Sequence, residues 1–223
     1  MSSFERLPAD GLRAETMMIN MGPSHPAMHG TVRLILELDG ETVVKCSPEI
    51  GYLHRGFEKM CEAKVWNNAI PYTDRLNYAS PMLNNVGYVI AVEKLLGVEV
   101  PPRGQFARVI ASEISRMADH LTAIAAGSLE LGGYTGLLWG VEARELLYKL
   151  TEELTGARLT TNYTRLGGVR HDLPDGFDRR WAEVKKDVLR LVHDIQIRLT
   201  TGKIYTIEKG TVQLVADVTK TTA

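Results

Sequence analysis

Four stretches of the chain space their apolar residues as a helix does, and none of them can bury its own stripe. MLNNVGYVIAVEKLLG (82–97) stops at Gly97, and Pro101 and Pro102 follow, a helix end and a restart. In the next stretch Ile110, Ile114, Met117, Leu121 and Ile124 fall three and four apart, so one stripe faces a core. A third helix is expected from about Leu137 to Leu154, ending at Gly156. A fourth, over 174–199, carries Phe177, Trp181, Val184, Val188, Leu191, Ile195 and Leu199. Four such stripes need one another, and the expectation is a helical bundle.

Ahead of the bundle the period is two. In TVRLILELDGETVVKC (31–46), Val32, Leu34, Leu36 and Leu38 alternate with Thr31, Arg33, Ile35 and Glu37. Asp39-Gly40 then offers the positive φ of a tight hairpin turn. Near the end, Lys209-Gly210 lies between β-branched runs and reads as another hairpin. The fold class is therefore α+β: a small antiparallel sheet, a mostly helical bundle and a C-terminal hairpin. The expected divisions are a loose arm over 1–16, the β element over 17–50, the bundle over 51–200 and a separate segment over 201–223.

At 223 residues the chain can form one large domain or two small ones. Its net charge of −1 gives no bulk attraction to nucleic acid or to an anionic membrane surface. Cys46 and Cys61 make neither a CxxC redox motif nor a disulfide framework, so a reducing compartment is expected. MSSFERLPAD lacks the apolar segment of a signal peptide. No apolar run approaches the roughly 20 residues that span a bilayer.

Chemistry-bearing residues gather in a few places. GPSHPAMHG (22–30) holds His25 and His29 around Pro26. Pro26 works against a helical metal-binding pair, because it biases His25 to an extended backbone. A turn-satisfying histidine and a proton donor on a rigid loop both stay open. PYTDRLNYASP (71–81) sets Tyr72, Asp74, Arg75, Tyr78 and Ser80 just before a helix. On general grounds Ser80 caps that helix with Pro81 at its first position. The functional alternative is a tyrosine hydroxyl aimed into a cleft beside an Arg–Asp pair. YLHRGFEKMCE (52–62), with His54, Arg55, Glu58 and Lys59, reads as a solvated helix start. YTRLGGVRHDLPDGF (163–177) is a Gly-Gly loop with Arg165, Arg170, His171 and Asp172, and Glu130 alone reads as surface.

The order of these motifs is more specific than any one of them. GPSHPAMHG, GYLHRGFEK, DRLNYASPMLNN, AVEKLLG with PPR after it, and YTRLGGVRHDLP together resemble the quinone-site subunit family of respiratory complex I. The resemblance runs over about residues 17–198. That family is related to the large subunit of NiFe hydrogenases, whose R-x-C-G-x-C-P stretch supplies two metal-binding thiolates. Arg75-Leu76-Asn77-Tyr78-Ala79-Ser80-Pro81 matches it, with Asn77 and Ser80 where the cysteines would be. An amide and a hydroxyl do not replace thiolates at such a metal centre, so no metal is expected.

The resemblance implies a quinone headgroup in that emptied pocket. His25 matches the family's headgroup histidine and Tyr78 the tyrosine on its other side. Glu130 matches an acid, commonly Asp, that pairs with the histidine. His29, Arg55 and Arg75 match positions that line the cavity or face the neighbouring iron–sulfur subunit. The implied activity is quinone reduction by an NADH-quinone oxidoreductase coupled to proton translocation. A 4Fe–4S cluster in the adjacent subunit supplies the electrons, and NADH is used by the whole complex. The implied partners are quinone, that iron–sulfur subunit and the membrane arm, not nucleic acid. The implied place is the cytoplasmic face of a bacterial inner membrane, held peripherally. The family is longer, and the segment from about Leu199 onward has no match in it. A non-catalytic fragment that at most docks onto the iron–sulfur subunit is the alternative. Either way, apolar surface should be exposed on the helices over 102–130 and 174–199.

Overall fold

The computed structural model describes residues 16–25 and 30–200. His29, nearly all of the expected arm and the hairpin expected at Lys209-Gly210 lie outside the described residues. The chain divides at Gly56 into two units, each of which is taken by itself.

The first unit is an antiparallel sheet in the order β1 (Met17–Met21), β2 (Arg33–Asp39), β3 (Thr42–Glu49). The expected hairpin is β2–β3, but its turn is shifted by one residue. Asp39 still pairs with Thr42, so the two loop residues are Gly40 and Glu41, with Gly40 at φ 61°. Glycine takes that φ without a Cβ clash, so Gly40 falls at the first loop position. Glu37 pairs with Lys45 and Leu38 with Val43, which leaves Val44 as the extra residue of a bulge. β1, which alternation does not single out, pairs along all of its length with β2, from Met17↔Leu38 to Met21↔Leu34. Every residue of β2 before Asp39 is half-buried. Its alternation therefore does not separate an inner from an outer face as cleanly as the pattern suggests.

The second unit begins with α1 (Phe57–Glu62), which has no buried residue, as a solvated helix start should. A 3-10 turn over Trp66–Ala69 leads into the single turn α2 (Ile70–Thr73). Four longer helices follow: α3 (Pro81–Leu96), α4 (Pro102–Glu130), α5 (Tyr134–Thr155) and α6 (Phe177–Thr200). All four match expected helices. Gly97 at φ 66° and Gly156 at φ 80° close α3 and α5 in the left-handed conformation. A two-residue ribbon, β4 (Thr164–Arg165) with β5 (Gly168–Val169), bridges α5 and α6. No helix among the described residues is long and apolar enough to cross a membrane.

The core joins Met82 of α3, Ile114 and Leu121 of α4, Leu147, Leu150 and Leu154 of α5, Tyr163, and Phe177, Val188 and Leu191 of α6. The expected stripe on α4 is partly wrong. Ile124 is 44% exposed, and the buried face instead runs through Ala107, Ala111, Ala118, Ala125 and Ser128 beside Ile114 and Leu121. The reason lies across the interface. A Cβ on Gly140 of α5 would stand 2.6 Å from the Cβ of Ala125, and one on Gly136 would strike the Ser128 hydroxyl. Two helix backbones this close leave room only for small side chains. The expected exposed apolar surface is present on α4 at Phe106 and Val109, and on α6 at Leu189 and Ile197. Val109 borders an open cleft of about 830 Å³ between α3 and the start of α4.

Candidate functional site

The stretch that precedes α3 is the most organised candidate. Asn77, Tyr78, Ala79 and Ser80 form a β-turn, closed by the Ser80 N–H donating to the Asn77 carbonyl at 3.1 Å. Tyr78 is the first central residue of this turn and is 65% exposed. Side chains at the two ends of such a turn fall on one side, and here they meet. The Asn77 amide donates to the Ser80 hydroxyl at 2.8 Å and to Asp119 Oδ2 of α4 at 2.9 Å. The Ser80 hydroxyl donates to the same Asp119 oxygen at 3.0 Å. Asn84 of α3 donates to the Asn77 carbonyl at 3.2 Å.

The expected cap is therefore not made. Ser80 stands at the N-cap position of α3, but its side chain caps no backbone N–H. Its hydroxyl is spent on Asp119 instead, a charge-assisted bond that outcompetes a neutral one.

The Arg–Asp pair beside the turn is present in asymmetric form. Asp74 is buried and Arg75 exposed; Arg75 Nη1 lies 3.4 Å from Asp74 Oδ2 and donates to the Pro71 carbonyl at 2.8 Å. Burial pushes the Asp74 carboxyl up to about 6, while Asn85 and the Arg75 guanidinium oppose the rise. Asn85 in turn accepts from the Thr73 hydroxyl at 2.8 Å. Tyr72 is half-buried.

The remaining candidates lie elsewhere in the chain. Glu130 is the exposed last residue of α4, eleven residues beyond Asp119, or about 16 Å along the axis. The α4 carboxylate that meets the RLNYASP stretch is therefore Asp119. In the first unit, His25 is half-buried on the loop that leaves β1, and Arg55 is exposed at the unit's end. That loop opens on Gly22 at φ 94°, where a Cβ would collide with the Val32 carbonyl oxygen. A glycine is needed for the chain to turn there.

The Gly-Gly loop is held by a buried ion pair that sequence reasoning misses. Arg108 of α4 donates from both Nη atoms to Glu93 of α3, at 2.8 and 2.5 Å. It also donates to the carbonyls of Arg165 (2.7 Å) and Gly168 (3.1 Å), and Gly167 N–H donates back to Glu93 at 2.7 Å. The Arg108 bonds hold the Glu93 carboxyl below its ordinary range. Gly167 at φ 84° and Gly168 at φ 159° let the backbone reach this pair. Beyond the ribbon, Arg103 pairs with Asp172 at 2.6 Å, and His171 packs edge-on against Tyr163.

Asp119 and the Glu93–Arg108 pair escape a reading of the sequence for the same reason. Each sits in an unremarkable helical run, and its partner lies 15 or more residues away. The one cue is that Asn77 and Ser80, three apart in a turn, present donors that need a common acceptor.

Similarity to known proteins agrees with the order of the motifs. A family profile described as respiratory-chain NADH dehydrogenase, 49 Kd subunit, matches residues 130–220, so it continues past Leu199 over most of the segment expected to have no match in the family. An NADH-quinone oxidoreductase subunit of Myxococcus xanthus (strain DK1622) is 54% identical over 194 residues, covering 87% of this chain and 47% of that protein. Its counterpart in Anaeromyxobacter dehalogenans (strain 2CP-C) is 50% identical over 189 residues, covering 85% and 44%. An NADH-quinone oxidoreductase subunit of Bdellovibrio bacteriovorus (strain ATCC 15356 / DSM 50701 / NCIMB 9529 / HD100) is 53% identical over 180 residues, covering 80% and 32%. The chain thus spans about half the length, or less, of these relatives. Over that span it belongs to the 49 kDa subunit family of respiratory-chain NADH dehydrogenases, the NADH-quinone oxidoreductases.

Proposed function

We propose that the chain supplies the quinone-headgroup face of an NADH-quinone oxidoreductase, with Tyr78 and His25 as donors to the two carbonyl oxygens. The observation that supports this most is the Tyr78 turn. It presents an exposed phenol from a rigid mount, in a chain 54% identical over 194 residues to an NADH-quinone oxidoreductase subunit.

The chemistry asked of these residues is modest. Reduction of a quinone to a quinol takes two electrons and two protons. A phenol and an imidazole each donate a hydrogen bond to a carbonyl oxygen, and each can deliver one proton as charge builds there. Both regain a proton from water. A 4Fe–4S cluster in the adjacent subunit supplies the electrons when it is docked, and NADH is consumed elsewhere in the complex. In this reading Glu130 is the acidic residue of the headgroup site. Arg55, Arg75 and His29 are further residues of this reading, at the cavity or facing the iron–sulfur subunit, and the two guanidiniums favour negative charge developing on the headgroup. The partners are then the iron–sulfur subunit and the membrane arm, with the chain held peripherally on the cytoplasmic side of the inner membrane. Quinone reduction is coupled there to proton translocation.

The test is Tyr78→Phe in the assembled complex. Loss of a proton donor should lower NADH-driven quinone reduction about 10²-fold, while NADH oxidation by ferricyanide persists. Unchanged quinone reduction would leave a docked, non-catalytic chain as the better reading.

A further inference from the structure

Tyr78 carries the proposed chemistry, yet its own side chain is mostly in solvent, so its direction is set by the turn beneath it. Among the described residues, the side chain that anchors the two ends of that turn to a distant element is Asp119. We propose that Asp119 is a positioning residue for Tyr78, a clamp from α4 that fixes the turn; this rests on the quinone-site reading above.

The hydrogen count supports the clamp. An ionised carboxylate only accepts, an amide has two N–H groups and a hydroxyl has one. Asn77 sends its amide to Ser80 Oγ and to Asp119 Oδ2, and Ser80 sends its hydroxyl to Asp119 Oδ2. Three side chains thus close a ring, and both bonds to Asp119 are charge-assisted. The ring joins residues 77 and 80 to a helix residue 42 and 39 positions further along the chain, respectively. Tyr78 and Ala79 are the residues enclosed between the two ends.

The ring also responds unequally to damage. Ser80 is buried, 2% exposed, so without Asp119 its hydroxyl loses its acceptor and has little access to water. Asn77 is exposed and can turn outward. The Asn84 bond holds only the Asn77 carbonyl and leaves the Ser80 end loose. Removing the Asp119 carboxylate therefore lets the turn swing at the end nearer α3, and Tyr78 moves with it. Because the ring needs one carboxylate and one amide, the two can change places. Asp at position 77 and Asn at position 119 rebuild the same three bonds with the polarity reversed.

The experiment uses the assembled complex, with decylubiquinone as acceptor and ferricyanide-linked NADH oxidation as the measure of assembly. Asp119→Ala should raise the decylubiquinone KM about tenfold. The exchange variant, Asn77→Asp with Asp119→Asn, should return the KM to within about twofold of the unmodified complex. Asp119→Ala added to Tyr78→Phe should change little further, because both act through one hydroxyl. An unchanged KM in Asp119→Ala, or an exchange variant no better than Asp119→Ala, overturns the clamp while leaving the Tyr78 role standing. Should Asp119→Ala fail to assemble, the exchange variant alone decides. If Tyr78→Phe itself changes nothing, the quinone-site reading fails and the clamp fails with it.

Discussion

Arg108→Met is the substitution the fold should tolerate least. Arg108 is 4% exposed and Glu93 5%, so neither charge is screened by water. The guanidinium makes two bonds to Glu93 and one each to the carbonyls of Arg165 and Gly168. Methionine keeps an unbranched apolar stem but, among the described residues, leaves the Glu93 carboxylate with the Gly167 N–H alone. Breaking a buried pair from one side costs about 3–5 kcal/mol, because an uncompensated charge stays behind. At about 2–4 °C per kcal/mol for a chain of this size, the midpoint should fall by roughly 10 °C. The two-residue ribbon should loosen first, since Arg108 and Glu93 are what hold it to α3 and α4. Urea unfolding followed by Trp139 and Trp181 fluorescence reads the global loss, and tryptic cleavage after Arg165 or Arg170 reads the local one. Adding Glu93→Gln to Arg108→Met removes the stranded charge and should recover about 1–2 kcal/mol. The sign with pH follows from the Glu93 carboxyl lying below its ordinary range. The pair's contribution is present above the unfolded glutamate pKa and is lost as pH falls through the lower folded one. A loss under about 1 kcal/mol, or no recovery in the double variant, would refute the reasoning.

Other outcomes follow from single residues. Asp74 titrates in the opposite sense: burial raises its folded pKa from 3.8 to about 6, so its stabilising contribution is complete below pH 3.8 and lost as pH rises to about 6. Asp74→Asn should flatten that part of the stability–pH curve and gain up to about 3 kcal/mol at neutral pH, measured by urea titrations between pH 4 and 8. Gly140→Ala should cost about 1–3 kcal/mol by pushing α5 off Ala125 and the Leu121 carbonyl, seen as a lower midpoint in the same titration. Tyr163→Phe should be neutral or stabilising by about 1 kcal/mol, because its hydroxyl is buried, has no hydrogen-bond partner among the described residues, and is held up at about 12 by burial. A clear loss of stability there would mean that the hydroxyl has a partner in the folded protein.

What the sequence discloses depends on whether the determinant is local. The helices are legible because their caps and periods are written within a few residues: Gly97 and Gly156 end α3 and α5 as expected. The β2–β3 hairpin is legible for the same reason, though not its one-residue offset, which depends on the loop closing the Asp39↔Thr42 pair. The buried face of α4 is misjudged at Ile124 because α5 approaches through Gly136 and Gly140, and a single stripe does not reveal how closely its neighbour comes. At the candidate site, Tyr78, Ser80, Asp74 and Arg75 stand out as a polar group between prolines. Ser80 reads as a cap because its true acceptor, Asp119, is 39 residues away. Glu130 is assigned by resemblance, and the helix carries it about three turns past the carboxylate that meets the turn.

The central claim is that the Tyr78 turn faces a quinone headgroup. A photoreactive short-chain quinone, applied to the assembled complex and mapped by peptide sequencing, tests it most directly. The account predicts labelling within residues 72–80, suppressed by excess decylubiquinone and redistributed in Asp119→Ala. Label confined to other subunits, or label at the turn that excess quinone does not displace, would contradict it.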